Sequence, residues 1–258
     1  MKYIKSIFVT LLLIITLTSC NDNNPVTPET KDPAEGLTKV GEHSFSDIKA
    51  EVYTDAAIEV GYSKFYVKLT KLSDNSLIKS ASVKLKTLMD MGNMKHSSPL
   101  ENKSGTDAVN SLFPSAAVFI MSGMWEVTIE VENSGEFTIP IEVAPSSNVK
   151  KVNGSDNKTY FVTLINPMAP KVGLNDFEIS VHTKENMMLF PAVEDVTVTM
   201  EPSMPSMGHG SPNNVTPVHQ ADGHYLGKVN FTMTGDWLID LYLSKTDSLL
   251  VTSFDITL

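Results

Sequence analysis

The sequence predicts an all-β protein made of two tandem β-sandwich domains, and three observations lead to this prediction. Apolar and polar residues alternate over short stretches, turn-forming residues separate those stretches, and one series of motifs occurs twice. Alternation with a period of two is typical of a strand that buries one face. No stretch beyond residue 20 shows the strong period of an amphipathic helix.

Residues 1–19 form the first element and have the pattern of a lipoprotein signal peptide. Two lysines precede an apolar run over residues 7–17 that is too short to read as a membrane span. The run leads into Leu-Thr-Ser-Cys at residues 17–20, which resembles a bacterial lipobox. The resemblance implies lipidation of Cys20 and a location in the cell envelope, on the periplasmic or surface face of a bacterial membrane. The alternative is a plain cleaved signal peptide in which Cys20 has no such role.

Residues 20–38 are predicted to be the lipidated cysteine and a flexible tether behind it. The stretch is rich in Asn, Pro, Thr, Asp and Glu and contains few apolar residues. It therefore cannot bury enough apolar surface to fold by itself. A tether of this kind would lift the domains that follow it off the membrane.

The composition excludes several classes of function. The chain has a formal net charge of −10 and no arginine, which argues against nucleic-acid binding because phosphate recognition relies on arginine and on positive patches. Cys20 is the single cysteine, so the lipidated chain would have neither a disulfide nor a thiolate metal site. A site for a soft metal ion must therefore use methionine and histidine.

Residues 39–147 and 148–258 are predicted to be two copies of one domain. Their matching segments keep an offset of 112 or 113 residues, which is hard to obtain by chance. The matching pairs are GYSKFYVKL (61–69) with GLNDFEISV (173–181), SVKL (82–85) with DVTV (195–198), MGNMKHSSP (91–99) with MPSMGHGSP (204–212), and FIMSGMWEVTIEV (119–131) with FTMTGDWLIDLYL (231–243).

Each copy is predicted to contain about seven short strands around a buried tryptophan, which is typical of an immunoglobulin-like β-sandwich. The residues expected to face inward are Phe65, Val67, Leu69, Trp125, Val127, Ile129 and Val131 in the first copy and Phe177, Ile179, Val181, Trp237, Ile239, Leu241 and Leu243 in the second. Ser-Gly at 122–123 and Thr-Gly at 234–235 are predicted to be tight hairpin turns. Other all-β topologies fit the same pattern.

A loop rich in methionine and histidine follows a strand in each copy. The side chains that share the spacing Met-x-x-Met-x-His are Met91, Met94 and His96 in the first copy and Met204, Met207 and His209 in the second. Thioether and imidazole together suit Cu(I), whereas zinc prefers Cys, His and carboxylate. His219 and His224 follow the second loop and could complete its site. The alternative is that the methionines only pack over the open end of each sandwich.

Other residues indicate packing rather than chemistry. Met121 and Met233 alternate with phenylalanine before the predicted hairpins, so we expect them in the core. Met187 and Met188 lie in a predicted loop without a counterpart in the first copy, and His182 reads as an ordinary strand residue. The sequence contains neither Gly-x-Ser-x-Gly nor His-Glu-x-x-His, and we therefore expect no enzymatic activity.

The second Met/His segment and the strand after it resemble the YtkA-like family, which is related to FixH. The resemblance covers about residues 192–245 well and residues 79–131 less well. It implies an exported or membrane-anchored β-sandwich protein of a kind that occurs with copper-handling and cytochrome-oxidase assembly proteins, and it places the family motif on the two Met/His loops. The first copy departs from the second, because Gly92, Asn93 and Lys95 replace Pro, Ser and Gly, and a lysine beside a cation site is unfavourable.

Two functions are open at the level of sequence. The first is a lipid-anchored extracytoplasmic protein that binds a metal ion, copper as Cu(I) above others, for storage, delivery or tolerance. Its partner would be a copper-transport or oxidase-assembly protein. The second is a non-catalytic immunoglobulin-like surface or adhesion module that makes protein contacts without metal.

Overall fold

A computed structural model describes residues 31–246 and 248–258. This part of the chain consists of strands, turns and loops, which confirms the predicted all-β class. Nothing within it qualifies as a membrane-spanning helix. The predicted signal peptide, Cys20 and most of the predicted tether lie outside the described residues.

The first sandwich consists of two antiparallel sheets. In the described chain its strands are β1 (Thr38–Ser44), β2 (Ile48–Thr54), β3 (Gly61–Lys71), β4 (Val83–Asp90), β5 (Lys95–His96), β6 (Leu100–Asn102), β7 (Phe113–Phe119), β8 (Gly123–Val131) and β9 (Gly135–Val143). One sheet has the order β1-β2-β3-β7-β6 and the other has the order β5-β4-β8-β9.

The second sandwich repeats this arrangement strand for strand. Its strands are β10 (Val149–Asn153), β11 (Thr159–Asn166), β12 (Gly173–Thr183), β13 (Thr197–Met204), β14 (His209–Gly210), β15 (Val215–His219), β16 (His224–Phe231), β17 (Asp236–Lys245) and β18 (Ser248–Thr257). Its sheets have the orders β10-β11-β12-β16-β15 and β14-β13-β17-β18. The internal repeat of the sequence is therefore also a repeat of topology.

The strand order is that of the immunoglobulin fold. In the first copy, β2-β3-β7-β6 corresponds to the A-B-E-D sheet and β9-β8-β4 to the G-F-C sheet. The predicted inward-facing residues form the two cores, and Trp125 and Trp237 are each 1% exposed. The period-two pattern thus identified the buried face of each long strand correctly.

The predicted hairpins at residues 122–123 and 234–235 are wrong. The strands on either side of each turn, β7 with β8 and β16 with β17, belong to different sheets, so these turns carry the chain from one layer of the sandwich to the other. The indole N–H of each tryptophan holds the crossing, because it donates to the backbone carbonyl four residues earlier. The distances are 3.0 Å from Trp125 to Met121 and 3.1 Å from Trp237 to Met233.

The end of the predicted tether belongs to the folded part of the chain. Ala34 is 6% exposed and packs against Tyr53 and Leu112, with Leu37 beside them. The compact unit accordingly begins at Pro33, which corrects the expectation that the tether stays flexible up to residue 38. The reason is that these two apolar residues find partners on the first sandwich.

The two sandwiches meet at the outer face of the five-stranded sheet of the second copy. Strand β11 contacts β3, and the backbone N–H of Ser97 donates to the carbonyl of Met187 at 2.9 Å. Ser180 and His182 point outward from β12, yet they are 0% and 2% exposed. The polar residues of β12 that alternate with its core residues are therefore buried between the two sandwiches and do not form a solvent-exposed face.

Candidate functional site

The first Met/His loop connects β4 with the two-residue strand β5. Met89 pairs with His96, and Asp90 pairs with Lys95. The Asp90 carboxylate closes the turn by accepting a hydrogen bond from the N–H of Gly92 at 2.8 Å, and Gly92 adopts a φ of +79°. The same carboxylate forms an ion pair with Lys95 at 2.7 Å, so the charge of this lysine is balanced beside the loop.

His96 is the best-positioned ligand candidate of this loop. It is 4% exposed, and its ring stands edge-on to Trp125 with a centroid distance of 5.1 Å. Its Nδ1 lies 2.9 Å from the carbonyl oxygen of Ser97, which can only accept a hydrogen bond, so Nδ1 carries the proton in the neutral imidazole. Nε2 then has a free lone pair and lies 3.1 Å from Sδ of Met121. Metal-binding histidines commonly have their other ring nitrogen fixed in this way.

Three methionines of the first sandwich line one cavity together with His96. Met91 and Met94 are 47% and 51% exposed, and the cavity has a volume of about 270 Å³. Met121 is the third, and the prediction that it lies in the core is wrong because it is 40% exposed. The Trp125 ring occupies the core in its place. The spacing of Met121 four residues before a core tryptophan, repeated at Met233, was the available signal for its position.

The second Met/His loop does not assemble the predicted site. Met204 is 4% exposed and belongs to the core of the second sandwich, so its predicted role as a metal ligand stays a prediction that this placement does not support. Met207 is 60% exposed at the tip of the loop. His209 is half-buried and stands edge-on to Trp237 at 6.0 Å. The two thioethers therefore face different surroundings, one the core and the other solvent.

Strand register explains why the two loops differ. Met89 pairs with His96 and Met204 pairs with His209, so Met89, rather than Met91, is the counterpart of Met204. Met89 is also buried, with 5% of its surface exposed. The first loop has two more residues between its paired ends than the second. An ungapped alignment of the two loop sequences hides this difference. A shift of two residues along a strand places each side chain on the same face as before.

His219 and His224 make contacts other than those predicted. The ring of His219 packs on Tyr225 with a centroid distance of 5.3 Å. His224 lies between two carboxylates, with Nδ1 2.8 Å from Glu178 and Nε2 2.8 Å from Glu101. Both ring nitrogens of His224 are occupied by these contacts, so its predicted metal-ligand role stays a prediction that this arrangement does not support.

Glu101, Glu178 and His224 form a clasp between the sandwiches, because Glu101 lies on β6 and the other two lie on β12 and β16. Burial by itself lowers the pKa of His224, but the hydrogen bonds to the two carboxylates outweigh burial and raise the pKa to about 9. The hydrogen bond from His224 in turn lowers the pKa of Glu178. Tyr62 donates its hydroxyl to Glu101 at 2.7 Å. The clasp is therefore ionic at neutral pH.

His182 is buried at the same junction and corrects the expectation of an ordinary strand residue. Its Nδ1 is a buried atom without a hydrogen-bond partner among the described residues. Burial lowers the pKa of His182 to about 4, so the imidazole is neutral at pH 7. It lines a second cavity of about 270 Å³ together with Glu101 and Phe190.

Carboxylate and histidine clusters do not provide a metal site in the described ranges. Across residues 31–246 and 248–258, no group of three or more His, Cys, Asp or Glu is placed to hold a metal ion. Thioether sulfur of methionine lies outside the ligand types of such groups. The cavity beside His96 is where several such sulfurs meet.

Two sandwiches with the same strand order define a tandem immunoglobulin-like protein. Residues 154–241 match the model of the YtkA-like family. The second sandwich therefore carries a YtkA-like domain, as its Met/His motif and the following strand predicted. The comparison with curated proteins found no match.

Several solved structures match this chain over most of its length at low sequence identity and low TM-score. Domains 5–6 of the S-layer protein SbsC are 11% identical, with coverage of 86% of this chain and 96% of that chain and a TM-score of 0.29. A conserved domain protein from Bacillus anthracis is 8% identical, with coverage of 88% and 93% and a TM-score of 0.33. A C-terminal fragment of intimin is 12% identical, with coverage of 83% and 64% and a TM-score of 0.28. The assignment of the fold rests on the strand order given above.

Proposed function

We propose that this protein binds a soft metal ion, Cu(I) above others, through the first Met/His loop, and that it serves copper storage, delivery or tolerance without catalysing a reaction. The observation that supports the proposal is the approach of His96 Nε2 to Met121 Sδ at 3.1 Å. In the neutral imidazole both atoms present lone pairs, which repel each other unless a proton or a cation lies between them. A soft cation relieves this repulsion and gains two donors at once.

The donor types favour Cu(I) over the commoner alternatives. Thioether sulfur is a soft ligand and selects Cu(I), while imidazole serves several transition metals. Zinc sites use Cys, His and carboxylate in combination, and His96 is the one residue of these types among the described residues that line the cavity. The ligand set therefore discriminates against zinc by its chemistry.

Anaerobic titration of the purified protein with Cu(I) against a chromogenic chelator tests the proposal. We expect His96→Asn and the double variant Met91→Leu/Met94→Leu to bind at least about tenfold more weakly than the native chain. His209→Asn in the second loop is the matched control and should bind like the native chain. Equal binding by the native chain and the His96→Asn variant would contradict the proposal.

A second candidate function, contact with a partner protein, is favoured by a different observation. Eight methionines of the described chain are exposed, from 37% for Met233 to 75% for Met168. Exposed methionines adapt to varied partner surfaces, and Met207 is 60% exposed on the second Met/His loop. Under this function, an isolated partner binds equally well with and without a metal chelator, and Met207→Gln weakens the complex.

We also propose that a lipid on Cys20 holds the chain at the cell envelope. The lipobox-like residues 17–20 support this proposal. Metabolic labelling with a fatty-acid analogue should mark the native chain in the membrane fraction and should leave a Cys20→Ser variant unlabelled. Equal labelling of the two chains would show that the lipid is elsewhere.

A further inference from the structure

The cavity beside His96 is not formed by the first sandwich alone. Met187 of the second sandwich lines it opposite the first Met/His loop, and Phe190 closes it on the same side. In the second copy, Met204 is in the core and Met207 is open to solvent, so these two methionines do not line one cavity as Met91 and Met94 do. The two copies thus contribute unequally to a single site.

The Met187 segment is held against the first loop by its backbone. The N–H of Ser97, next to His96, donates to the carbonyl of Met187 at 2.9 Å. The segment also has its own turn, in which the Asn186 side chain accepts a hydrogen bond from the N–H of Met188 at 2.8 Å. Phe190 anchors the far end by packing edge-on to Phe161 with a centroid distance of 5.8 Å. The half-buried Met187 thioether is therefore positioned at the cavity by contacts that do not involve its sulfur.

The charge around the cavity opposes a divalent cation more strongly than a monovalent one. Lys151 and Lys184 also line it, and none of its described lining residues is Asp, Glu or Cys. Repulsion by the two lysines is twice as large for a divalent cation as for a monovalent one. Hard divalent ions additionally lack the oxygen ligands that they require. Neutral thioether and imidazole donors leave a soft monovalent ion as the fitting occupant.

We infer that Met187 is a ligand supplied by the second sandwich, and that the chain binds one Cu(I) ion at the junction of the two copies instead of one ion in each copy. The donors available from the first sandwich are Met91, Met94, His96 and Met121. This inference rests on the proposed function. It gives the second sandwich the role of completing the site, and its own Met/His loop takes no part in it.

The test compares Met187→Leu with Met188→Leu in the full chain, by Cu(I) titration against the same chelator. Leucine conserves volume at either position, and Met188 is the sequence neighbour that does not line this cavity. We expect one equivalent of Cu(I) in the native chain, binding at least about tenfold weaker in Met187→Leu, and native binding in Met188→Leu. X-ray absorption of the Cu(I) complex should show fewer sulfur neighbours in Met187→Leu.

The outcomes separate the inference from the proposed function. If Met187→Leu binds like the native chain while His96→Asn does not bind, the site belongs to the first sandwich alone and the inference is overturned. If the native chain binds two equivalents and Met207→Leu loses one, each copy has its own site and the inference is again overturned. If the native chain does not bind Cu(I), the proposed function itself fails.

Discussion

Glu101 of the first sandwich lies 2.8 Å from the imidazole of His224 in the second, although 123 residues separate them in the sequence. Glu178 occupies the other ring nitrogen at the same distance. The three side chains of the clasp are only 13% to 21% exposed, so solvent screens them weakly. Their charges therefore affect both the stability of the chain and its dependence on pH.

Replacing the histidine of the clasp should destabilise the protein at pH 7. In His224→Gln, Glu101 and Glu178 lose the positive charge between them and their carboxylates repel each other. We expect the free energy of unfolding to fall by about 2–4 kcal/mol, measured by urea denaturation. The matched control is His43→Gln on the exposed strand β1, with an expected change below about 0.5 kcal/mol. Similar losses in the two variants would show that the clasp contributes nothing specific.

The alkaline side of the stability profile should depend on the same histidine. Folding raises the pKa of His224 from 6.5 to about 9, so its contribution is complete below pH 6.5 and is lost as the pH rises through 9. We expect the free energy of unfolding to fall by roughly 3 kcal/mol between pH 6.5 and 9.5. The His224→Gln variant should show a flatter profile over this range, and an unchanged slope would refute the assignment.

The acid side of the stability profile should depend on His182. Burial lowers its pKa from 6.5 to about 4, so its contribution is present above pH 6.5 and is lost as the pH falls through 4. His182→Leu should flatten the profile between pH 6.5 and 4.5 and leave stability at pH 7 nearly unchanged, because it removes a buried nitrogen that has no partner among residues 31–246 and 248–258. Below pH 4.5 the variant should still lose stability, since the lowered pKa of Glu178 acts there. An acid limb as steep as that of the native chain would argue against this role of His182.

Two methionines of the second loop should respond very differently to truncation. Met204→Ala removes a side chain that is 4% exposed, whereas Met207→Ala removes one that is 60% exposed. We expect the first change to lower the free energy of unfolding by about 2–4 kcal/mol and the second by less than about 0.5 kcal/mol. Thermal and urea unfolding would measure both. A larger loss in Met207→Ala would mean that the register of β13 differs from the one described.

The cores were predictable because their signal is local. Phe65 and Val67 on β3, and Phe177 and Ile179 on β12, follow a period of two that depends only on the pleat of one strand. Each of them is no more than 1% exposed. The order of the strands was less predictable, because the number of strands and the buried tryptophan favour an immunoglobulin-like sandwich but also fit other all-β topologies.

The junction between the two sandwiches was not predictable, because its contacts are not local in the sequence. The residues of β12 that alternate with its core residues are Glu178, Ser180 and His182. This pattern is typical of a strand face exposed to solvent, and the neighbouring sequence does not indicate that another domain covers them. Met187 lies at the cavity partly through a backbone contact with Ser97, which is 90 residues away in the sequence. The register difference between the two Met/His loops was hidden in the sequence. Pairing Met204 with Met89 or with Met91 places the methionine on the same face of the strand, because the two positions differ by two residues.

The placement of the tryptophans gives each sandwich its own optical reporter. The chain has two tryptophans, and Trp125 lies 5.1 Å from the His96 ring, while Trp237 lies beside His209 in the other copy. A Trp237→Phe variant would leave a single emitter in contact with the first loop. Fluorescence from that chain would follow events at His96 directly, without any attached dye.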